Sequence, residues 1–542
     1  MNKNLSKRIS VIVAMATMIT TFSACTKANT ASKKAKLPLV TLEFLAPAPT
    51  TSVNDLDAIL NKFYEQTKDT LNVKINYTFT TFDNIGQKAS LKLAAGEQLD
   101  GVYTAQWTSP NIMQMVSKGQ LVNLDKYFTD DKLPGLKKNF NQDYLKNNSF
   151  VDTKGEYHTY GVPFSHSFTG GAVVYYRQDL ADKYGLGVIK SYDDLLKYFD
   201  AVKTNEKGMI PFSWLGSTDA ISSTLQTMTD PVVKKHNTVL QNGVGIAIKD
   251  DGSIYTSSNA VVSSLDPEYK KLSPFSDSDP LRGYKLAREW YTKGYLEKDI
   301  LSQKDSEGQF VAGKAASYSR GLDTYTALNQ RITGSISGAK LGYMIIDNGE
   351  RSNVTKSMGS TFQAWNFLSI PTTSKNVDRT MSFLNWIYAD TKNHDLFEFG
   401  IEGKNWNAVG DTKYKVPDGV DTKTNYNFPG YLLTWNPGMQ RYSSDTPDTV
   451  VSEMNKLSDT NFFYKTADAG FSFVSDNVKS EAAKMNDLSS YLRAIGNGVI
   501  ADIPGEATKI QKQYDQAGFA KVKDEVSKQF SAWLKTNPYK GQ

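Results

Sequence analysis

Cysteine is nearly absent from this sequence. Cys25 is the only cysteine among 542 residues, so no disulfide can form within one chain and no group of cysteines can hold a metal ion. Histidine is also scarce, and the four histidines are scattered along the chain at positions 158, 166, 236 and 394. We therefore expect no thiol nucleophile, no metal site and no cofactor.

The common catalytic signatures are missing as well. The sequence contains no GxSxG, no GxxxxGK[ST], no HExxH and no GxGxxG placed after a strand, which disfavours the hydrolases, nucleotide-binding enzymes and dehydrogenases that carry them. A glycoside hydrolase needs only two well-placed carboxylates, and the chain has 57 acidic residues. Glycosidase activity therefore stays open as an alternative.

No apolar run is long enough to cross a bilayer, which takes roughly 20 residues. The apolar run near the N-terminus, residues 9–22, follows a basic start and ends in Phe22-Ser23-Ala24-Cys25. This pattern predicts a signal peptide over 1–24. The last four residues resemble the lipobox of bacterial lipoprotein precursors, which implies a lipid anchor on Cys25. An ordinary signal peptide with a chance cysteine is the alternative.

The positive charge is concentrated at the N-terminus. Residues 1–38 contain seven basic and no acidic residues, so the formal net charge of +5 becomes about −2 for the rest of the chain. A basic surface for nucleic acid is therefore not expected. Residues 25–38 are small, polar and basic, and we interpret them as a lipid-anchored tether near anionic headgroups.

The first hundred residues after the tether predict alternating strands and helices. Strands are predicted at Val40–Leu45, Val73–Phe79 and Gly101–Thr104, with helices near 56–64 and 88–95 between them. This order indicates a parallel sheet with crossover helices. Ligands of such sheets bind beyond the carboxyl ends of the strands, which here include the loop 106–111.

The length of the chain indicates more than one lobe. Residues 161–177 form two short strands around a glycine-rich break, which we interpret as the first crossing between lobes. The prediction is an α/β, two-lobed fold of the periplasmic-binding-protein type, with a hinge and C-terminal helices. The expected boundaries are 39–165 and 340–410 for lobe 1, 166–339 for lobe 2, and 411–542 for the completion of lobe 2 and the C-terminal helices.

Four segments resemble one family in the same order: Ala94–Asp100 (AAGEQLD), Ile370–Trp386 (IPTTSKNVDRTMSFLNW), Phe399–Trp406 (FGIEGKNW) and Gly470–Met485 (GFSFVSDNVKSEAAKM). They resemble the long lipoprotein branch of the carbohydrate ABC-importer solute-binding proteins of Gram-positive bacteria, including its C-terminal helical module. The resemblance implies two lobes that close on a sugar, a membrane permease as partner, and a location on the extracellular face of the cell membrane.

Aromatic and amide residues are the candidate ligand-binding residues, because sugar rings pack on aromatic faces and their hydroxyls need polar partners. Tryptophans on predicted helices are expected to be packing residues. Those in loops or at strand ends are candidates, although each could instead pack its own loop. The candidates are Trp107, Trp214, Trp365, Trp406, Trp435, Tyr160, Gln106 and Gln363.

The sequence therefore leads to one hypothesis and two alternatives. The hypothesis is a lipoprotein that captures a carbohydrate, in particular an oligosaccharide, and delivers it to an ABC importer without acting as an enzyme. The alternatives are a secreted glycoside hydrolase and a peptide-binding importer lipoprotein. A surface adhesin is disfavoured, since adhesive modules are more often all-β than alternating α/β.

Overall fold

The computed structural model describes residues 36–48 and 52–539. Cys25, the expected signal peptide and most of the expected tether lie outside these residues. Within the described part of the chain, no helix combines the length and the apolar character needed to cross a membrane.

The strands are short and spread along the whole chain. In chain order they are β1 (Val40–Pro47), β2 (Val73–Thr80), β3 (Gly101–Thr104), β4 (Phe150–Val151), β5 (Tyr157–His158), β6 (Gly161–Phe164), β7 (Ala172–Arg177), β8 (Thr238–Gln241), β9 (Val244–Ile248), β10 (Ile254–Thr256), β11 (Ser317–Gly321), β12 (Leu341–Ile345), β13 (Gly359–Ser360), β14 (Asn366–Ser369), β15 (Asn407–Val409), β16 (Lys413–Lys415), β17 (Tyr442–Ser443) and β18 (Tyr464–Lys465).

Helices connect and cover these strands. They are α1 (Leu56–Thr67), α2 (Phe82–Ala94), α3 (Ile112–Ser117), α4 (Asp125–Thr129), α5 (Pro134–Asn139), α6 (Gln142–Asn147), α7 (Gln178–Lys183), α8 (Tyr192–Asn205), α9 (Ile221–Thr229), α10 (Pro267–Leu272), α11 (Arg282–Thr292), α12 (Ser306–Val311), α13 (Tyr325–Ser335), α14 (Asn348–Arg351), α15 (Val377–Ala389), α16 (Thr391–Glu398), α17 (Asp448–Leu457), α18 (Lys479–Gly496), α19 (Ile503–Ala517) and α20 (Phe519–Thr536).

The first lobe is built on a five-stranded sheet in the order β2-β1-β3-β14-β6. The first three strands are parallel, with Val40 opposite Val73 and Phe44 opposite Gly101, which confirms the predicted alternation. β14 runs antiparallel to both β3 and β6, so its first residue lies at the edge where those strands end. Helix α2 begins at Phe82, earlier than the predicted start near 88.

The second lobe centres on β7, which lies between β11 and β12 and pairs antiparallel with both. One face of this sheet packs against α8, α9 and α11, whose buried side chains include Phe199, Leu225 and Trp290. Helix α8 starts directly after Ser191, because the Ser191 side chain accepts a hydrogen bond from the Asp194 backbone N–H at 3.1 Å and so caps the helix.

Two segments of the chain lie in a different lobe from the one that the predicted boundaries assign to them. Leu341–Ile345 pairs with β7 in the second lobe, although the return to lobe 1 is predicted at 340. Residues 426–433 contribute Tyr426, Phe428 and Leu433 to the first-lobe core, although everything after 410 is predicted to lie in lobe 2 or the C-terminal helices. The segment 426–433 has no periodic hydrophobic pattern that would indicate which lobe it packs against.

The C-terminal helices cover a small separate sheet. Helices α18, α19 and α20 pack on the antiparallel sheet β10-β9-β8, and the shared core includes Ile246 and Ile248. The apolar face of the last helix points into this core, since Val522, Val526 and Phe530 are fully buried there. The C-terminal module is therefore attached through a hydrophobic core of its own.

Candidate functional site

An aromatic cleft of about 600 Å³ opens at the carboxyl-end edge of the first-lobe sheet. Phe82 follows β2, Trp107 follows β3, and Trp365 comes directly before β14, so strand direction brings all three to this edge. The cleft is lined by Phe82, Tyr103, Gln106, Trp107, Phe168, Thr361, Gln363, Ala364, Trp365, Asn366, Tyr431 and Trp435.

Trp107 is the ring most open to solvent, with 64 % of the residue exposed. Its indole Nε1–H donates to the Trp365 carbonyl oxygen at 2.9 Å, which ties the loop after β3 to the start of β14. The loop is also held by Asn111, whose side chain donates to the Gln106 carbonyl at 2.6 Å and caps helix α3. The large apolar face of the Trp107 indole is thus exposed, while its one polar atom, Nε1, is hydrogen-bonded.

Several other rings of the cleft contact one another edge to face. Tyr103 lies 5.7 Å from Phe82 and 6.1 Å from Tyr431, measured between ring centroids. Trp435 lies 5.8 Å from both Tyr431 and Trp365. Such contacts restrain the rings against one another, because each ring edge faces the electron-rich face of its neighbour. The cleft therefore presents a largely preformed aromatic surface.

Polar groups are interspersed with the rings and are uncharged. The Tyr103 hydroxyl donates to Asn366 Oδ1 at 2.6 Å, and the Tyr431 hydroxyl donates to the Pro47 carbonyl at 3.2 Å. Burial raises the pKa of Tyr431 to about 12 and also raises the pKa of Tyr103, so both phenols keep their protons at neutral pH. The amide side chains of Gln106 and Gln363 line the opening.

None of the residues described as lining the cleft is charged. The pair of carboxylates that glycoside hydrolysis usually requires is therefore not found on this surface. One group of potential metal ligands exists elsewhere in the described chain, formed by Asp152, Glu156 and His158 in the β4–β5 hairpin. His158 Nδ1 in that group is already 2.7 Å from the Asp125 carboxylate.

Five of the eight candidate residues are brought together in the cleft: Trp107, Trp365, Trp435, Gln106 and Gln363. The other three lie elsewhere. Trp214 is in the second lobe, stacked on Phe212 at 6.1 Å. Trp406 is 4 % exposed and donates its indole N–H to the Gly400 carbonyl at 3.0 Å, as a packing residue does. Tyr160 is buried in the first-lobe core.

Four aromatic residues of the cleft were not among the candidates: Phe82, Tyr103, Phe168 and Tyr431. Neither Phe82, which precedes the predicted helix, nor Tyr103, which lies inside a strand, has a sequence position that distinguishes it from a core residue. Tyr431 is four residues before Trp435. This spacing is the one feature of the sequence that could have indicated that the two rings lie close together. Contacts between residues far apart in sequence, such as Tyr103 and Tyr431, leave no local pattern.

Comparison with known proteins places the chain in a family. Residues 50–392 match the family model described as bacterial extracellular solute-binding protein. Residues 468–535, which include most of the C-terminal helices, match a second model described only as a domain of unknown function. The chain is 22 % identical to the carbohydrate ABC transporter substrate-binding protein of Streptococcus pneumoniae, over 98 % of this chain and 99 % of the relative.

Two solved structures share the fold along almost the whole chain. The N-glycan transport solute-binding protein of Streptococcus pneumoniae superposes with a TM-score of 0.66 at 18 % identity, covering 91 % of this chain and 99 % of the other. An HMO-binding, ABC-transporter-associated solute-binding protein of Bifidobacterium longum infantis gives 0.61 at 16 % identity, with coverage of 91 % and 99 %. These two structures show the fold, and the match of the family model over more than half of the length of this chain shows that it belongs to the bacterial extracellular solute-binding proteins.

Proposed function

We propose that this protein captures an oligosaccharide in the aromatic cleft and delivers it to an ABC importer in the cell membrane. The observation that carries the proposal is the cleft itself, where rings and neutral amides alternate without a charged group. The names of relatives support the ligand class, since they describe those proteins as carrying or binding a carbohydrate, an N-glycan or HMO. These relatives are named as binding and transport proteins, not as enzymes.

The chemistry of the cleft fits an uncharged glycan. The exposed face of Trp107 can pack against the C–H face of a sugar ring, as can the half-buried rings of Trp365 and Trp435. The amides of Gln106 and Gln363 can each donate to one hydroxyl and accept from another. A volume of about 600 Å³ falls within the range of sites that enclose ligands of several hundred daltons, which supports an oligosaccharide.

Closure of the two lobes would complete the site. Three segments connect the lobes: 165–171 between β6 and β7, 346–365 between β12 and β14, and 436–447 before α17. Trp214 lies where a second-lobe segment runs parallel to β11, at its carboxyl end. We propose that the second lobe brings Trp214 toward the ligand when these segments flex, and that the permease recognises the closed form.

A panel of ligands tests the function. Kestose, Man5GlcNAc and maltotriose represent neutral glycans, and di- to pentapeptides represent the competing ligand class. We expect at least one neutral glycan to raise the melting temperature, because a ligand that binds only the folded state at 100 times its Kd stabilises it by about 2.7 kcal/mol. Stabilisation by peptides alone, or release of reducing sugar from a glycan, would contradict the proposal.

We also propose that the mature protein is anchored by lipid on Cys25, on the outer face of the cell membrane. The support is the sequence pattern before Cys25 together with membership of an extracellular family. Each buried CH₂ of an acyl chain contributes about 0.8 kcal/mol to membrane affinity. Cys25→Ser should move the protein from the membrane fraction to the medium or leave it uncleaved, which fractionation and palmitate labelling measure. Unchanged labelling would refute the anchor.

A further inference from the structure

A group of buried titratable side chains lies directly behind the aromatic cleft. His394 and Asp395, each 2 % exposed, are on helix α16, which ends at Glu398. A cavity of about 70 Å³ lies beside the contact between this helix and residues 434–436, and its lining includes His394, Glu398, Thr434 and Trp435. Trp435 therefore has one side in the open cleft and the other against these groups.

Both His394 and Glu398 bind Thr434, the residue next to Trp435. His394 Nε2 lies 2.9 Å from the Thr434 carbonyl oxygen, which can only accept, so Nε2 is the donor. The Thr434 hydroxyl donates to the Glu398 carboxylate. The fit is also tight at Gly430, where an added Cβ would lie 2.6 Å from both Glu398 Oε2 and Trp435 Cδ1. Helix α16 thus holds both the backbone carbonyl and the side chain of the residue next to Trp435.

We propose that His394 and Glu398 are positioning residues for the ligand site, which fix Thr434 and thereby set the orientation of Trp435 in the cleft. The inference rests on the proposed function, since it gives these residues a role in presenting a ring to the glycan. If these side chains only filled space, apolar residues would give a more stable fold. The free energy needed to remove two charges from water usually exceeds the free energy of their attraction.

The arrangement should respond to pH. Burial alone would lower the pKa of His394, but the hydrogen bond to Asp395 at 3.2 Å, the charge of Glu398 and the Thr434 carbonyl together raise it. Burial raises the pKa of Glu398. The other groups that face the pair are Arg441, which binds Asp395 at 2.8 Å, and His166, Tyr388, Tyr414 and Tyr426.

The sign of the pH effect follows from these shifts. A raised folded-state pKa means that the interaction is complete below the unfolded value of about 6.5 for histidine and is lost as pH rises through the folded value. Deprotonation of His394 removes the donor that faces Asp395. We therefore expect the environment of Trp435 to change as pH rises through a folded-state pKa that lies above the ordinary histidine value of about 6.5, and His394→Gln, which cannot titrate, to abolish that change.

The test needs no glycan, so its failure is distinguishable from failure of the proposed function. The indole N–H signals of ¹⁵N-tryptophan-labelled, full-length protein are followed by NMR from pH 5 to 9, and Trp435→Phe identifies the Trp435 signal. The Trp435 signal should titrate in the wild type and not in His394→Gln. Glu398→Gln should lower the midpoint, because it removes a charge that raises the pKa of His394.

The exposed Glu402→Gln is the matched control and should leave the midpoint in place. Circular dichroism melting curves verify that each variant is folded at 25 °C, and Glu398→Gln provides a second readout should His394→Gln not fold. A Trp435 signal that does not titrate in the wild type would overturn the proposal. An unchanged titration in His394→Gln or an unmoved midpoint in Glu398→Gln would overturn it as well.

Discussion

At the scale of single residues, Trp107 separates ligand contact from packing. Its ring is 64 % exposed and its indole N–H is satisfied by the Trp365 carbonyl. Trp107→Ala should weaken glycan binding by about 1–3 kcal/mol, the scale known for aromatic stacking on nucleic-acid bases. The melting temperature of the ligand-free protein should change little, since most surface substitutions stay within about 0.5 kcal/mol. Calorimetric titration and a melting curve measure the two quantities.

Trp406 is the matched control for Trp107 because it is the same side chain in a buried position. Its ring contacts Phe399 at 5.3 Å and Arg441 lies over it at 5.4 Å. Trp406→Ala should cost about 3–5 kcal/mol of stability, as large-to-small core substitutions do, while the folded fraction keeps its glycan affinity. A Trp107→Ala variant that is folded and binds with wild-type affinity would remove Trp107 from the site.

At the scale of elements, the site is made by strand direction more than by any one loop. β1, β2, β3 and β6 end at one edge, and antiparallel β14 begins there. The sequence predicts this edge, because the alternation of strands and helices up to residue 104 implies parallel pairing. Trp107 could therefore be placed from the strand that precedes it, whereas the position of Trp365 depends on the antiparallel pairing of β14 with β3 and β6.

Other parts of the site could not be predicted because they depend on distant contacts. The short segment around Gly430–Leu432 has no periodic hydrophobic pattern, yet Tyr431 and Trp435 in and after it line the cleft. It is held by contacts from distant parts of the chain, which include His394 and Glu398 of α16 bound to Thr434 and Tyr388 bound to the Leu433 carbonyl. Trp406 resembled a site residue only because it stands in a loop, and its burial by Phe399 and Arg441 is a tertiary property.

The C-terminal helices allow a prediction for an element that does not touch the cleft. Phe530 on α20 is fully buried and contacts Phe471 edge to face at 5.1 Å, within the core shared with β9. Phe530→Ala should cost about 3–5 kcal/mol of stability, measured by denaturant unfolding. The glycan affinity of the protein that remains folded should be unchanged. A large loss of affinity without loss of stability would place this module in the binding site.

At the scale of the whole molecule, the two lobes have separate cores that meet through the connecting segments. The first-lobe core includes Phe44 and Phe383, and the second-lobe cores include Phe199 and Tyr318. Since each lobe is internally packed, relative motion is expected at the connections and not inside the sheets. The open cleft on the first lobe is then one half of a site that closure completes.

The scarcity of cysteine makes this motion measurable. In a Cys25→Ser background, Asp83→Cys next to Phe82 and Thr218→Cys near Trp214 introduce the only two thiols, both at exposed positions. Spin labels on this pair should report a shorter distance with saturating glycan, because closure brings Trp214 toward the aromatic cleft. A second pair within the first lobe, Lys62→Cys with Asp83→Cys, should report no change. An unchanged distance across the lobes, with binding verified by calorimetry, would contradict hinge closure and leave the first lobe as the whole binding site.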